Sequence, residues 1–259
     1  MPQLLHKHSD RIWYLDQEVV TDRPVLGYIR GDRASFAVDA GASRRHVELF
    51  YRELELLGLP LPAFTGISHH HWDHSYGTAF VSGVSLASDL CNRQLARESG
   101  YAWTPEAMKR RYDDGLDIKM GYYAKLAEYG DLAEIRVRPA ALSLSGNAAV
   151  DLGGATVRIL YCGGPHSDDH LIFYIPEERF LFLGDASGKE LFTLPWDYDE
   201  THPETIQSAI AALPFNTGKL RPFVSRLESL DFRFCMFGHA DRPWSREELL
   251  TDLRSHLPG

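Results

Sequence analysis

The sequence predicts an α/β protein built as a four-layer αββα sandwich, with two mixed sheets flanked by helices. Two observations point there. Strand-like apolar runs fall into an N-terminal group and a C-terminal group of similar style, and amphipathic helical stretches lie between and after them. A strand face or a helix stripe needs another layer to bury it, so two β-rich halves with helices alternating outside pack sheet on sheet under a helical cover. The 259 residues, 44% of them hydrophobic, are read as one domain spanning residues 1–259.

In chain order, RIWYL, VLGYIR and ASFAVDAG are short β-rich runs separated by Gly and Asp punctuation. A helix is expected from Ser43 to Leu57, with Val47, Leu49, Phe50, Leu54, Leu56 and Leu57 as its apolar stripe and Gly58 where a C-terminal cap belongs. AFTGIS is a short apolar strand that runs straight into a cluster of histidines. Residues 89–130 change character, rich in Arg, Lys, Glu, Tyr and Met, and read as a mainly helical insertion with Thr104-Pro105-Glu106 as a helix start. Strands return in ALSLSG, AAVDLGG, ATVRILYCGG, HLIFYIP and RFLFLGD, and FRFCMFGH is a further apolar strand ending in a histidine. Helices are expected over Pro203 to Leu213, after a Thr201 cap, and over Ser245 to Leu257, where Ser245 and Glu248 form a capping-box signature.

The 36 acidic against 27 basic side chains give a formal charge of −9, which opposes a phosphate backbone or an anionic membrane surface. Neither nucleic acid nor membrane is therefore an expected partner; a small-molecule substrate is, and a homo-oligomer stays open. The first residues carry no apolar core with a small-residue cleavage site, and no stretch approaches the ~18 apolar residues of a membrane span, so a cytoplasmic location is expected. Cys91, Cys162 and Cys235 are widely spaced and form no CxxC pair, which reads as small buried hydrophobes rather than a disulfide framework or thiolate metal site.

The decisive segment is Ser68-His69-His70-His71-Trp72-Asp73-His74. His69, His71, Asp73 and His74 are good metal ligands crowded into a few residues, and a tight turn after a strand can aim alternate side chains into one pocket. His70 faces away from them by alternation. His166 and His239 each follow an apolar strand, and Asp185 ends FLFLG in the same way. Strands that terminate in ligands at one edge build a polar rim over an apolar base.

With FAVDAG (Asp39, Gly41), SHHHWDH, GGPHS (His166), FLFLGD (Asp185) and FGH (His239) in this order, the chain resembles the metallo-β-lactamase superfamily over nearly its whole length. The resemblance implies that fold. It also implies that His69, His71 and His166 bind one metal ion, that Asp73, His74 and His239 bind a second, and that Asp185 bridges them. Nitrogen and oxygen donors without a thiolate suit zinc, the first choice for the two divalent ions, and tolerate iron or manganese. The implied activity is hydrolysis, in which a hydroxide bridging the two ions attacks an ester, thioester, lactone or related bond and Asp73 orients it and passes a proton on.

The likeness is to the glyoxalase II and lactonase-like branches, since true β-lactamases are usually exported and a bridging carboxylate typifies the other branches. Two alternatives on the same fold are an iron-dependent oxidoreductase such as a sulfur dioxygenase, and, third, a phosphodiesterase or nuclease. His71 stands where flavodiiron relatives have Glu, against that branch. Departures from the family pattern fall at Tyr76, which either lines the pocket or packs beneath a helix, and at Asp168, Asp169 and His170, of which Asp169 is the candidate acceptor for a ligating histidine. His202, ahead of a proline, reads as a cap neighbour. Trp103, Tyr112, Tyr122, Tyr123 and Tyr129 form either a lid over the metals or the buried faces of a helical pair.

Overall fold

The computed structural model describes residues 3–192 and 206–258. A seven-stranded sheet runs β1 (Leu5–Lys7), β2 (Ile12–Leu15), β3 (Leu26–Arg30), β4 (Ser35–Val38), β5 (Phe64–Gly66), β6 (Val84–Ser88) and β7 (Leu142–Leu144) in simple order. Its first four strands pair antiparallel and the rest parallel. The second sheet holds β8 (Ala148–Asp151), β9 (Thr156–Tyr161), β10 (Leu171–Ile175), β11 (Phe180–Gly184), β12 (Phe234–Phe237) and β13 (Trp244–Ser245), with β11 and β12 its one parallel pair among the described residues.

Period-two alternation explains the layers. Phe180 and Phe182 of β11 and Phe173 and Ile175 of β10 point between the sheets, where they meet Ile29 and Phe36 of the first sheet. The residues between them, Ile172, Leu181 and Leu183, point outward to Leu220, Phe223 and Leu227 of α7 (Thr217–Glu228) and to Leu249 and Leu253 of α8 (Arg246–Ser255). On the opposite outer face Trp13, Leu26 and Tyr28 receive Phe50 and Leu54 of α1 (Arg44–Leu56). The architecture is the αββα sandwich that the two β-rich halves predict.

Helix ends follow local chemistry. Ser43, Ser88, Thr104 and Asn216 each accept a backbone N–H at an N-terminus, and the Ser245–Glu248 capping box is complete. Helices α3 (Asp89–Glu98), α4 (Pro105–Asp113) and α5 (Lys119–Tyr129) occupy the segment read as an insertion. Two expectations need correction. Leu56 and Leu57 are 72% and 54% exposed, because α1 turns its inner face through His46, Val47, Phe50 and Leu54 instead. Helix α7 is unforeseen: Pro222 sits inside it, but Leu220, Phe223, Val224 and Leu227 bury a full stripe that outweighs the missing donor.

Of the helix expected over Pro203 to Leu213, α6 (Ile206–Ala212) is present, while Thr201, His202 and Pro203 lie outside the described residues. The three cysteines are free, Cys91 and Cys235 buried and Cys162 partly so. No helix among the described residues is long and apolar enough to cross a membrane.

Candidate metal centre

Strand β5 delivers the histidine cluster to the sheet edge. Ile67 donates to Leu86 O (2.8 Å) and Ser68 O accepts from Leu171 (2.7 Å), so the chain leaves the first sheet stitched to the second. One helical turn, α2 (Trp72–Ser75), follows; Ser75 Oγ donates to the carbonyls of His70 (2.7 Å) and His71 (2.9 Å) and closes the bend. From the second sheet, Asp185 leaves β11 and His239 leaves β12, their strand ends joined by Gly238 N donating to Gly184 O at 2.9 Å. A Cβ on Gly238 would run into Asp185 and the His74 ring, so only glycine lets these strands bring their ligands together. His166 comes from the β9–β10 loop.

All seven residues expected as ligands meet. Their donor atoms form three overlapping groups, each within 4.8 Å: His69, His71 and His166; Asp73, His74 and His239; and His69, His74 and Asp185. His166 Nε2 is 3.0 Å from His71 Nδ1. Asp73 Oδ2 lies 3.0 Å from His74 Nε2 and 3.2 Å from His239 Nε2. Asp185 spans the groups, with Oδ1 3.4 Å from His74 Nε2 and Oδ2 3.7 Å and 3.6 Å from the Nε2 atoms of His166 and His239.

The arrangement passes a test of fit for divalent cations. His69 Nε2 is buried with no hydrogen-bond partner, and His74 Nε2 makes no aligned hydrogen bond despite its two carboxylate neighbours. Buried polar atoms are rarely left so, whereas a metal ligand keeps its lone pair aimed at the ion. The outward-facing nitrogens are held as ligand histidines require. Asp39 Oδ2 lies 2.8 Å from His74 Nδ1, Ser68 Oγ 3.0 Å from His69 Nδ1, and Lys189 O 2.6 Å from His166 Nδ1. Asp39 also accepts from Ser68 N (2.6 Å) and Ser68 Oγ (3.0 Å), tying two supports into one network.

Electrostatics sort the cluster. Burial, reinforced by neighbouring histidines, holds His69 and His71 well below the ordinary imidazole range, in the neutral form that ligates. Burial opposes the charge on Asp73, but His74 and His239 overcome it and hold the carboxyl below its usual range. Burial likewise opposes protonation of His239, yet Asp185 and the hydrogen bond to Asp73 push it up to about 9. A cation entering here displaces those protons.

A family model described as the metallo-beta-lactamase superfamily matches residues 26–239. The chain belongs to that superfamily. Among solved structures, a metallo-beta-lactamase family protein from Thermus thermophilus is 20% identical with a TM-score of 0.63, over 96% of this chain and 80% of that one. A metallo-beta-lactamase from Pontibacter korlensis is 14% identical with a TM-score of 0.61, over 97% and 99%. The DIM-1 metallo-beta-lactamase is 16% identical with a TM-score of 0.63, over 99% and 97%. At these identities the likeness is one of fold. No curated protein matches the chain. Superfamily membership and the His/Asp cluster together make this a metal-dependent hydrolase-type fold with groups able to bind a divalent cation.

The departures from the family pattern resolve individually. Asp169 does not support a ligating histidine: its Oδ2 accepts from His70 N (2.8 Å) and faces His70 Nδ1 (3.1 Å), holding that histidine away from the centre. Asp168 is exposed and pairs with Lys219 at 2.9 Å. His170 is buried and stacked on His69, ring centroids 4.2 Å apart. Tyr76 fulfils both readings, donating to Glu98 Oε2 (2.9 Å) in the core and lining a cavity beside the centre.

Among the five aromatics read as lid or packing, Trp103 lines that cavity and Tyr129 is buried, its hydroxyl donating to Ala42 O at 2.6 Å. From 89–129 the larger cavity is walled by Asp117, Ile118, Met120 and Gly121 rather than by tyrosines. One residue escaped the sequence reading altogether. Asp22 adopts a left-handed φ of 53° and brings Oδ1 to 3.9 Å from His239 Nδ1; burial, then the Asp73 charge, raises its carboxyl pKa. Its only sequence signal is an Asp in an otherwise ordinary loop.

Proposed function

We propose that the chain is a hydrolase acting on an ester, thioester or lactone through two divalent cations, zinc by first choice. On this reading His69, His71 and His166 hold one ion, Asp73, His74 and His239 the other, and Asp185 both. The observation that carries it is the pair of three-ligand groups spanned by the two oxygens of Asp185. When bound, two such ions polarise a substrate oxygen and bring the pKa of water held between them toward about 7.

The chain's own groups then direct the reaction. Asp73 Oδ2 is engaged by His74 and His239, which leaves Oδ1 to accept a hydrogen bond from the attacking water and to pass its proton to the departing oxygen or sulfur. Asp39 and Ser68 keep the His74 and His69 rings fixed while charge develops.

The adjoining cavity, about 660 Å³, is walled by Ile118, Met120, Phe192, Phe237 and Trp244. Its cations are occupied: Lys189 Nζ donates to the carbonyls of Ile210 (3.1 Å) and Ala211 (2.6 Å), and Arg242 pairs with Glu248 at 2.8 Å. An uncharged apolar acyl or alkyl group of a small-molecule substrate suits such walls.

The test is a panel of S-acyl glutathione, lactones, aryl esters, phosphodiesters and cephalosporins on metal-analysed protein, with Asp73→Ala as control. Turnover of an ester, thioester or lactone by zinc-loaded protein is expected. Iron as the native metal together with oxygen consumption would sink the reading.

A further inference from the structure

A second cavity, about 400 Å³, lies against the metal centre. It shares His71, Trp72, Asp117, His166 and Phe192 with the larger one, so the ligands His71 and His166 face both chambers. Its far wall comes from α3 and α4 and is built around Arg111. The guanidinium sits in the corner formed by the Tyr101 and Trp103 rings, 4.6 Å from each centroid while the centroids are 6.0 Å apart, and Nη1 donates to Ala102 O at 3.0 Å. Nη2 is shielded from bulk solvent and has no acceptor.

Every other charge on this wall is engaged. Asp117 pairs with Lys125 (2.7 Å), Asp169 with His70 (3.1 Å), and Asp168 and Glu190 both with Lys219 (2.9 Å and 3.6 Å). Glu98 accepts from Tyr76 Oη and Gln94 Nε2, each at 2.9 Å. Arg111 is thus a cation on the chamber lining with no carboxylate partner among the described residues. An unpaired guanidinium favours an anionic partner, and contact with the two rings restricts the planar fork, so little further entropy is lost when an anion binds.

We propose that Arg111 anchors an oxyanion of the substrate, a carboxylate or phosphate lodged in the second chamber. This deepens the hydrolase reading and rests on it for the word substrate: the molecule cleaved would place an apolar group in the larger chamber, its scissile bond at the ligands, and an anionic group against Arg111.

The experiment titrates the metal-loaded protein at fixed ionic strength with glutarate, inorganic phosphate and the neutral isostere glutaramide, following the fluorescence of the indoles, two of which, Trp72 and Trp103, line the chamber. Saturable binding of glutarate or phosphate at millimolar concentration, without binding of glutaramide, is expected; which anion binds tighter tells carboxylate from phosphate. Arg111→Met should weaken that anion about tenfold or more, the loss of one charge-assisted hydrogen bond.

Equal binding of glutaramide, no binding of either anion, or undiminished binding by a folded Arg111→Met would each overturn the proposal, the last because the anion then sits on the metals. Should Arg111→Met not fold, Arg111→Gln is the second variant, and undiminished glutarate binding by it overturns the proposal in the same way. Anion binding without hydrolysis of any ester would remove the hydrolase reading alone, and hydrolysis without anion binding would remove the anchor alone.

Discussion

Along the rim of the two sheets the candidate ligand side chains issue from the ends of β5, β11 and β12 and the β9–β10 loop, and their supports Asp39 and Ser68 are buried in the sandwich. Along residues 89–129 the side chains that reach the same cavities, such as Asp117, Ile118 and Arg111, issue from helices and helix ends beside exposed Leu116. Strands locked into two sheets hold atoms to a fraction of an ångström, as metal ligation requires, whereas helix ends can change sequence without disturbing the sheets. The proposed function therefore places chemistry on the rim and selectivity on the wall.

The wall is nevertheless not loose. Glu128 of α5 makes a bidentate pair with Arg23, both bonds 2.9 Å, and accepts from the Ser43 hydroxyl at the start of α1.

The contrast can be broken in four ways. His71→Ala removes a rim ligand and should lower kcat/KM for the best ester about 10³-fold, the several kcal/mol that a bound cation contributes, with metal content falling in parallel. Activity within tenfold of the parent would mean that the rim is not the reactive centre. Glu128→Ala should cost about 3 kcal/mol in urea unfolding, because Arg23, partly buried, stays charged, loses its carboxylate partner and keeps only Gln3 Oε1. A loss below about 1 kcal/mol would show that the helical wall is only loosely tied to the sandwich.

Asp39→Asn should weaken metal affinity about 10–100-fold, read by chelator competition, with the fold kept. An unchanged affinity would mean that the His74 ring needs no support from behind. The smallest effect concerns Glu98 in the second chamber. Burial raises its carboxyl pKa, so the folded protein binds that proton more tightly than the unfolded chain; the stabilisation is full below the ordinary carboxylate value and is lost as pH rises through the raised one. Glu98→Gln should therefore gain on the parent in urea midpoint as pH rises above the ordinary carboxylate value. A pH-independent difference would place the Glu98 carboxyl in water.

The sequence by itself determined whatever depends on neighbours along the chain. Continuous apolar runs mark β10 and β11 as strands buried on both faces, Ser245 with Glu248 starts the last helix, and a histidine cluster directly after an apolar strand marks the candidate site. What depends on residues far apart was decided by tertiary structure. Asp39 and His74 are separated by 35 positions and Arg23 and Glu128 by 105, and no local spacing encodes either pairing. The same holds for Asp169, whose partner is the non-ligand His70 across 99 positions, and for Asp22, which reaches His239 only once two loops meet. Local sequence sets propensity, periodicity and capping, while the direction of a side chain within a crowded site follows from how whole layers pack.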